Sequence, residues 1–399
     1  MPEPDLPPML QSRALLKRLG GGGGSLESTA GQSPDLSEDR IAQSLEMLEK
    51  VLAHKVVENA NTALGAEDAQ AFLTNAKEGL ARLAHDGAAA ELALDHVVGL
   101  EAVIETDGSR PSLLIRNGWI DENDPRLGQW AGDVSTYAHA IQTAIRATGR
   151  LIVNGDISKT QICGTVFMVA PGFAATAKHV VEQTFAQDPA GYNDWFVKEG
   201  DYVEVDFHVE ADGPPQPDKR IQVTGVHWAS PDIIGNTIQR KNLDFALLQL
   251  AEDGPPHLEI TDTLPGQNGP PRLHVIGHPE RGRLPISATP AEAGAYYEII
   301  DLIFGAEFGV KRWSPGNLKI GPGNLRGDRN NKRIMTHDAS TLSGNSGAPV
   351  LDLTNIADRV VGLHYGGFFQ DQNYAHGGPN FMQTLRDAVA APSPLDDDE

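Results

Sequence analysis

The chain reads as mainly β: two six-stranded antiparallel β-barrels preceded by a small α-helical N-terminal region. Three observations carry that reading. From about Gly149 the sequence switches to short apolar runs separated by Gly, Pro, Asp and Asn, the grammar of strands and turns. Ahead of that point, apolar residues recur at helical spacing instead. Residues 149–391 are also long enough to supply two barrels of six strands.

Taken in order, residues 1–36 form a Gly-rich lead expected to be disordered. The run Gly20 to Gly24 has no side chains to bury and is costly in entropy to order. Met1 to Leu10 is acidic and Pro-rich, without the basic and apolar regions of a signal peptide. Residues 37–105 predict a bundle of three helices, a regulatory or interaction domain. Ile41, Leu45, Leu48 and Leu52 mark the first, and Phe72, Ala76, Leu80 and Leu83 the second. Leu92, Val97, Leu100 and Val103 mark the third, within 88–104. Residues 106–148 form a connecting segment with a short strand at 112–115. Its helix over 133–147, stopped by Gly149, packs on the domain that follows.

The first barrel spans residues 149–260, with strands expected at 151–153, 165–170, 202–207, 221–226 and 245–250. The Pro- and Gly-rich stretch 254–269 connects it to the second barrel, 261–391, with strands at 274–276, 348–351 and 360–365. Residues 281–335 lie between plausible strands and read as a long loop bordering the cleft. They carry the basic groups Lys311-Arg312 and Arg326, Arg329, Lys332 and Arg333. Residues 392–399 are an acidic tail.

Composition narrows the function. The 399 residues are 40% apolar and 22% charged, with a formal charge of -22, which disfavours nucleic acid and anionic membrane surfaces. No apolar run approaches the roughly 20 residues of a membrane span. Cys163 is the single cysteine, so no intrachain disulfide forms, which suits a reducing compartment and a cytoplasmic location. It reads as a small buried hydrophobe. His54, His85 and His96 are scattered at spacings unlike a metal motif, and the acidic loops lack EF-hand spacing. No cofactor and no metal are expected.

The chemistry concentrates in one stretch, residues 338–350, where Gly344-Asn345-Ser346-Gly347 precedes an apolar strand. A Ser between glycines on a tight turn holds its hydroxyl clear of the backbone while N–H groups converge. A serine nucleophile with an oxyanion hole needs that geometry. Two partners have suitable contexts. His179 lies just past the run Phe173 to Ala177, and Asp244 stands at the mouth of the hydrophobic strand Phe245 to Leu250. A buried carboxylate is costly unless hydrogen-bonded, and an imidazole N–H is an apt donor. The order is His, Asp, Ser, with separations of 65 and 102 residues. An α/β-hydrolase runs Ser, Asp, His through a strand-to-helix elbow, whereas here Ser346 leads into a strand. The order and the all-β context are those of the chymotrypsin arrangement.

Gly164-Thr165-x-Phe167, Thr176-Ala177-x-His179-Val180, Asp244-x-Ala246-Leu247-Leu248 and Gly344-Asn345-Ser346-Gly347-x-Pro349 together resemble a trypsin-like serine peptidase. The bacterial glutamyl-endopeptidase (V8-like) branch is the closer likeness, through Ile276 to Pro279, Ser314-Pro315-Gly316 and Gly362 to Gly367. The resemblance covers residues 149–390. It implies a chymotrypsin-like fold and a serine endopeptidase acting on protein or peptide. In this role Ser346 attacks, His179 moves the proton, Asp244 orients His179, and the backbone N–H groups of Gly344 and Ser346 hold the oxyanion. It also implies that Thr341 and His364 meet an acidic P1 side chain, favouring cleavage after Glu and less often Asp. Tyr365 and Gly366 would line the wall along which substrate pairs as an added strand. Asn345 stands where digestive relatives carry an Asp that pairs with a new N-terminal ammonium, so activation without such cleavage is expected. The rival reading is a catalytically silent or tightly gated scaffold whose helices in 37–105 bind a regulatory partner.

Overall fold

A computed structural model describes residues 36–58, 66–93, 110–154, 164–187, 195–214, 216–234, 241–264, 272–281, 307–353, 359–368 and 372–391, with isolated positions between them. Cys163, the acidic tail and the lead apart from Leu15, Leu19 and Leu36 lie outside the described residues; Leu15 and Leu19 are helical and Leu15 is buried, against the disorder expected at those positions. The chain divides into two compact units.

The first unit holds helices α1 (Glu38–Glu58) and α2 (Ala66–Asp86). The stripes read from the sequence are the ones buried: Leu48, Val51 and Leu52 on α1, and Phe72, Ala76, Leu80 and Leu83 on α2. Leu100 and Val103, from the expected third helix, are buried as well. His96 Nδ1 accepts the Ala93 N–H, so its Nε2–H donates to Glu78 Oε2 at 3.1 Å, and His85 pairs with Asp86 at the surface.

The second unit contains every strand among the described residues. It opens with β1 (Leu113–Arg116) and β2 (Trp119–Ile120), then helices α3 (Ala131–Thr136) and α4 (Ala138–Ala147). The single helix expected over 133–147 is thus two, broken at Tyr137, whose backbone leaves helical values (φ -111°, ψ 26°). The Thr148 hydroxyl donates to the Ala144 carbonyl, closing α4 as the chain enters the first barrel.

That barrel comprises β3 (Thr148–Val153), β4 (Thr165–Ala170) and β5 (Phe173–Thr176), followed by helix α5 (Lys178–Thr184) and the hairpin β6 (Phe185–Gln187) and β7 (Trp195–Val197). It is completed by β8 (Val203–Asp206), β9 (Ile221–Ala229) and β10 (Ala246–Leu250), and closes in the order β10-β5-β4-β3-β8-β9. A parallel bridge, β11 (Glu259–Ile260), leads to the second barrel.

The second barrel consists of β12 (Arg272–Gly277), β13 (Arg312–Ile320), β14 (Ile334–His337), β15 (Pro349–Leu351), β16 (Arg359–Phe368) and β17 (Gln372–Gly377). They run β12-β15-β16-β17-β14-β13, and the β12–β13 pairing closes the ring. Leu273, Val275, Met335, Ala348, Val350, Val361 and Ala375 fill its interior. Helix α6 (Pro379–Ala390) follows, anchored by buried Phe381, Met382 and Leu385.

Part of 281–335 departs from the loop expected there. Residues 312–320 and 334–337 are barrel strands, and Lys311 and Arg312 are completely buried rather than bordering a cleft. The Lys311 ammonium donates to the carbonyls of Ile145 and Phe207 at 2.8 and 2.7 Å, so hydrogen bonds replace its lost water. Burial still pulls its pKa down to about 8.

Candidate active site

His179 does not simply follow a strand. β5 ends at Thr176, Ala177 stays extended, and His179 sits in the first turn of α5. Val180 and Val181 are buried, which anchors this short helix. Asp244 lies two residues ahead of β10, the strand paired with β5, so the sheet register brings the two residues together.

The pair is bonded twice. His179 Nδ1 lies 2.7 Å from one Asp244 carboxylate oxygen, and the His179 backbone N–H donates to the other at 2.9 Å. Burial works against the charged form of both residues. It is outweighed for His179 by the charge and hydrogen bond of Asp244, which hold its pKa above the usual 6.5. For Asp244, the His179 attraction and hydrogen bonds, with a smaller contribution from His376, overcome burial and hold its pKa below 3.8. With Nδ1 committed to the carboxylate, Nε2 is the ring nitrogen left for proton transfer.

A third group backs the pair. His376, on β17, accepts the Asp244 backbone N–H on Nε2 at 2.8 Å and stacks on Tyr365, ring centroids 4.2 Å apart. Burial drives its pKa down to about 4, so the ring stays neutral and able to accept. Nothing in the sequence pointed to His376. A lone histidine in a strand carries no spacing signal, and its partner lies 132 residues away.

The Ser346 loop is held by both barrels. The Thr165 N–H on β4 donates to the Ser346 carbonyl at 2.9 Å, and the Gly347 N–H donates to the His364 carbonyl on β16 at 2.7 Å. Gly344 and Gly347 adopt φ of 88° and 90°, where a side chain is strained. A Cβ on Gly347 would also fall 2.4 Å from the Thr176 hydroxyl. The Ser346 turn therefore packs directly against the strand end that leads to His179. No backbone carbonyl among the described residues accepts from the Gly344 or Ser346 amide.

Thr341 and His364 are both buried beside this loop. His364 Nδ1 lies 3.2 Å from Nε2 of His337, a second histidine with no spacing signal to single it out. Burial first, then His337 and His179, pushes the His364 pKa well below 6.5, and burial takes His337 to about 4. His364 is thus a neutral imidazole here, not the cation that a charge-based P1 pocket would present. Tyr365 is buried, and Gly366 pairs with Tyr374 of β17.

The family model described as the trypsin-like peptidase domain matches residues 164–363, half of the chain. The match spans His179, Asp244 and Ser346. The chain belongs to the trypsin-like peptidase family. This trypsin-like peptidase is a serine peptidase, a hydrolase whose substrate is a protein or peptide. It is 30% identical over 342 residues to a probable serine protease of Lysobacter enzymogenes, covering 84% of this chain and 85% of the relative. Only 36 residues follow position 363, so about a hundred of the residues ahead of 164 fall within that shared span. Among solved structures, a Glu endopeptidase is 17% identical with a TM-score of 0.38, covering 62% of this chain and 92% of that one. A protease from M. tuberculosis in its active form is 18% identical with a TM-score of 0.37, covering 64% and 86%. Among the described residues, no helix of this trypsin-like peptidase is long and apolar enough to cross a membrane.

Proposed function

We propose that the chain is a serine endopeptidase working through Ser346, His179 and Asp244, with a preference for Glu or Asp at P1. The observation that carries the catalytic half is the doubly bonded His179–Asp244 pair beside the turn that holds Ser346. In this mechanism the Ser346 hydroxyl attacks the scissile carbonyl while His179 Nε2 takes its proton. Asp244 fixes the tautomer and stabilises the imidazolium. The Gly344 and Ser346 amides receive the oxyanion. His179 then protonates the leaving amine, and water releases the acyl group from Ser346.

The P1 preference is supported by Thr341 and His364 as neutral donors. If His337 Nε2–H donates to His364 Nδ1, the remaining His364 N–H is free to meet a carboxylate. Arrival of that charge would itself raise the His364 pKa. The N-terminal helices in 37–105 are assigned a regulatory or partner-binding role. Their support is the shared span with the Lysobacter relative, which reaches well ahead of the peptidase match.

The test is cleavage of a P1-diverse peptide library by the full-length protein, with Ser346→Ala as control. Turnover after Glu or Asp that disappears in Ser346→Ala is the expected result. Ser346-dependent turnover after other residues would remove the pocket assignment and keep the enzyme. Turnover that survives Ser346→Ala would remove the mechanism.

A further inference from the structure

A peptide unit is planar and trans, so its C=O and N–H point in opposite directions. The Ser343 carbonyl accepts the backbone N–H of Glu280 at 2.6 Å. That bond turns the Gly344 N–H the other way, which is the orientation an oxyanion donor needs. Rotating this one peptide would withdraw the donor while leaving the rest of the loop in place. Glu280 is therefore the residue whose own position decides where the Gly344 amide points.

The Glu280 side chain is fixed from the other barrel. Its Oε1 lies 2.6 Å from Nη2 of Arg150 on β3, and both side chains are nine-tenths or more buried. The same guanidinium donates through Nη1 to the Gly309 carbonyl at 3.1 Å, and the Gly309 N–H donates back to the Pro279 carbonyl at 2.7 Å. Arg150 thus grips residues 279–280 twice, once directly and once through Gly309. A second anchor acts on the next peptide: the Thr165 hydroxyl donates to the Gly344 carbonyl at 2.7 Å and accepts the His278 N–H at 3.1 Å. A buried ion pair is poor evidence for stability alone, because desolvation consumes most of its attraction. A bridge placed between a barrel strand and the back of the oxyanion loop has a geometric use instead.

We infer that Arg150 and Glu280 are positioning residues that hold the Gly344 amide toward the oxyanion, so the loop is set without an ammonium from a newly cut N-terminus. Asn345, neutral and bonded locally to the Leu342 carbonyl, leaves that task to another ion pair. The inference rests on the serine-peptidase mechanism proposed above and adds the device that keeps its oxyanion hole formed.

The test compares full-length wild type with Glu280→Gln and Arg150→Lys. Glu280→Gln keeps shape and loses charge, whereas Arg150→Lys keeps charge and loses the forked contact. Losing one oxyanion donor outright costs about 10²–10³ in kcat, so a misaimed donor predicts about a 10- to 100-fold fall in kcat for Glu280→Gln. KM should change less than about threefold, because ground-state contacts are untouched. Affinity for a peptide aldehyde, which forms a tetrahedral adduct, should fall with kcat, while affinity for the product peptide holds. Arg150→Lys should lower kcat as well, by less than Glu280→Gln does. Hydrogen exchange at the Glu280 amide, read by mass spectrometry, should accelerate in Glu280→Gln whether or not any variant turns over substrate. Folded Glu280→Gln with wild-type kcat and unchanged exchange would overturn the inference. Should Glu280→Gln fail to fold, wild-type kcat and exchange in Arg150→Lys would overturn it equally. Wild type without turnover would count against the mechanism, while faster Glu280 exchange in the variant would still support the positioning.

Discussion

Both carboxylate oxygens of Asp244 are spent on His179, one on the ring and one on the backbone, so this residue fixes both the tautomer and the position of its partner. Asp244→Asn would keep the shape but present an amide N–H to Nδ1, favouring the wrong tautomer. The expected outcome is a fall in kcat of about 10⁴-fold with little change in KM, read by steady-state kinetics. The pH profile provides a second check. Catalysis needs neutral His179, whose pKa is held above 6.5 by Asp244. Activity should therefore be full at higher pH and decline as pH falls through that raised value. In Asp244→Asn the residual activity should persist to lower pH, because the attraction that raised the pKa is gone. An acid limb that does not move would remove Asp244 from this role. At this scale the sequence was informative where a residue sat in a pattern. Asp244 caps an apolar strand, and His179 follows one. His337 and His376 were invisible because their partners come from strands distant in sequence and a buried neutral histidine leaves no periodic mark.

Elements show the same division. The short runs of β4 and β10 were plain in the sequence because they are nearly all apolar and bounded by Gly, Pro or Asp. β13 was not, because Ser314-Pro315-Gly316 has the composition of a turn. Tertiary packing decides the matter: Pro315 pairs with His274 and Gly316 with Leu273 across to β12. Gly316 is there for space, since a Cβ would fall 2.4 Å from the backbone nitrogen of Ala339, in the segment that leads to Ser346. Gly316→Ala would have to push that segment away, an overpacking cost of about 1–3 kcal/mol. A lower urea midpoint with an unchanged slope is the expected result, accompanied by lost activity because the displaced segment carries the Ser346 turn. An unaltered midpoint would mean the strand yields without strain. Helix α5 was missed for a related reason: seven residues are too few to establish a helical period, and burial of Val180 and Val181 stabilises it instead.

At the scale of the molecule, five histidines among the described residues are no more than 2% exposed: His274, His278, His337, His364 and His376. Burial lowers every one of their pKa values, to about 3 for His274 and about 4 for His337 and His376. Each is depressed below its unfolded value of 6.5, so its contribution to stability is complete above that pH and lost as pH falls toward the folded value. Below 6.5 the unfolded chain gains a proton at each site that the folded chain refuses, costing about 1.4 kcal/mol per site per pH unit. His274, His337 and His376 together reach roughly 6 kcal/mol by about pH 5, within the range of the whole stability of an ordinary domain, and His278 and His364 act in the same direction. The raised pKa values of His179 and Asp133 oppose this but involve only two groups. Cooperative acid unfolding near pH 5, followed by tryptophan fluorescence, is the expected behaviour. His274 allows the cause to be isolated. Neither of its ring nitrogens has a hydrogen-bond partner, and the ring stacks on Trp313 and meets Trp130 edge-on. His274→Phe would keep those aromatic contacts and remove one titrating site. Its acid midpoint should move to lower pH, because one fewer site takes up a proton on unfolding. A midpoint that stays in place, or rises, would show that carboxylate protonation drives the transition instead of the buried imidazoles.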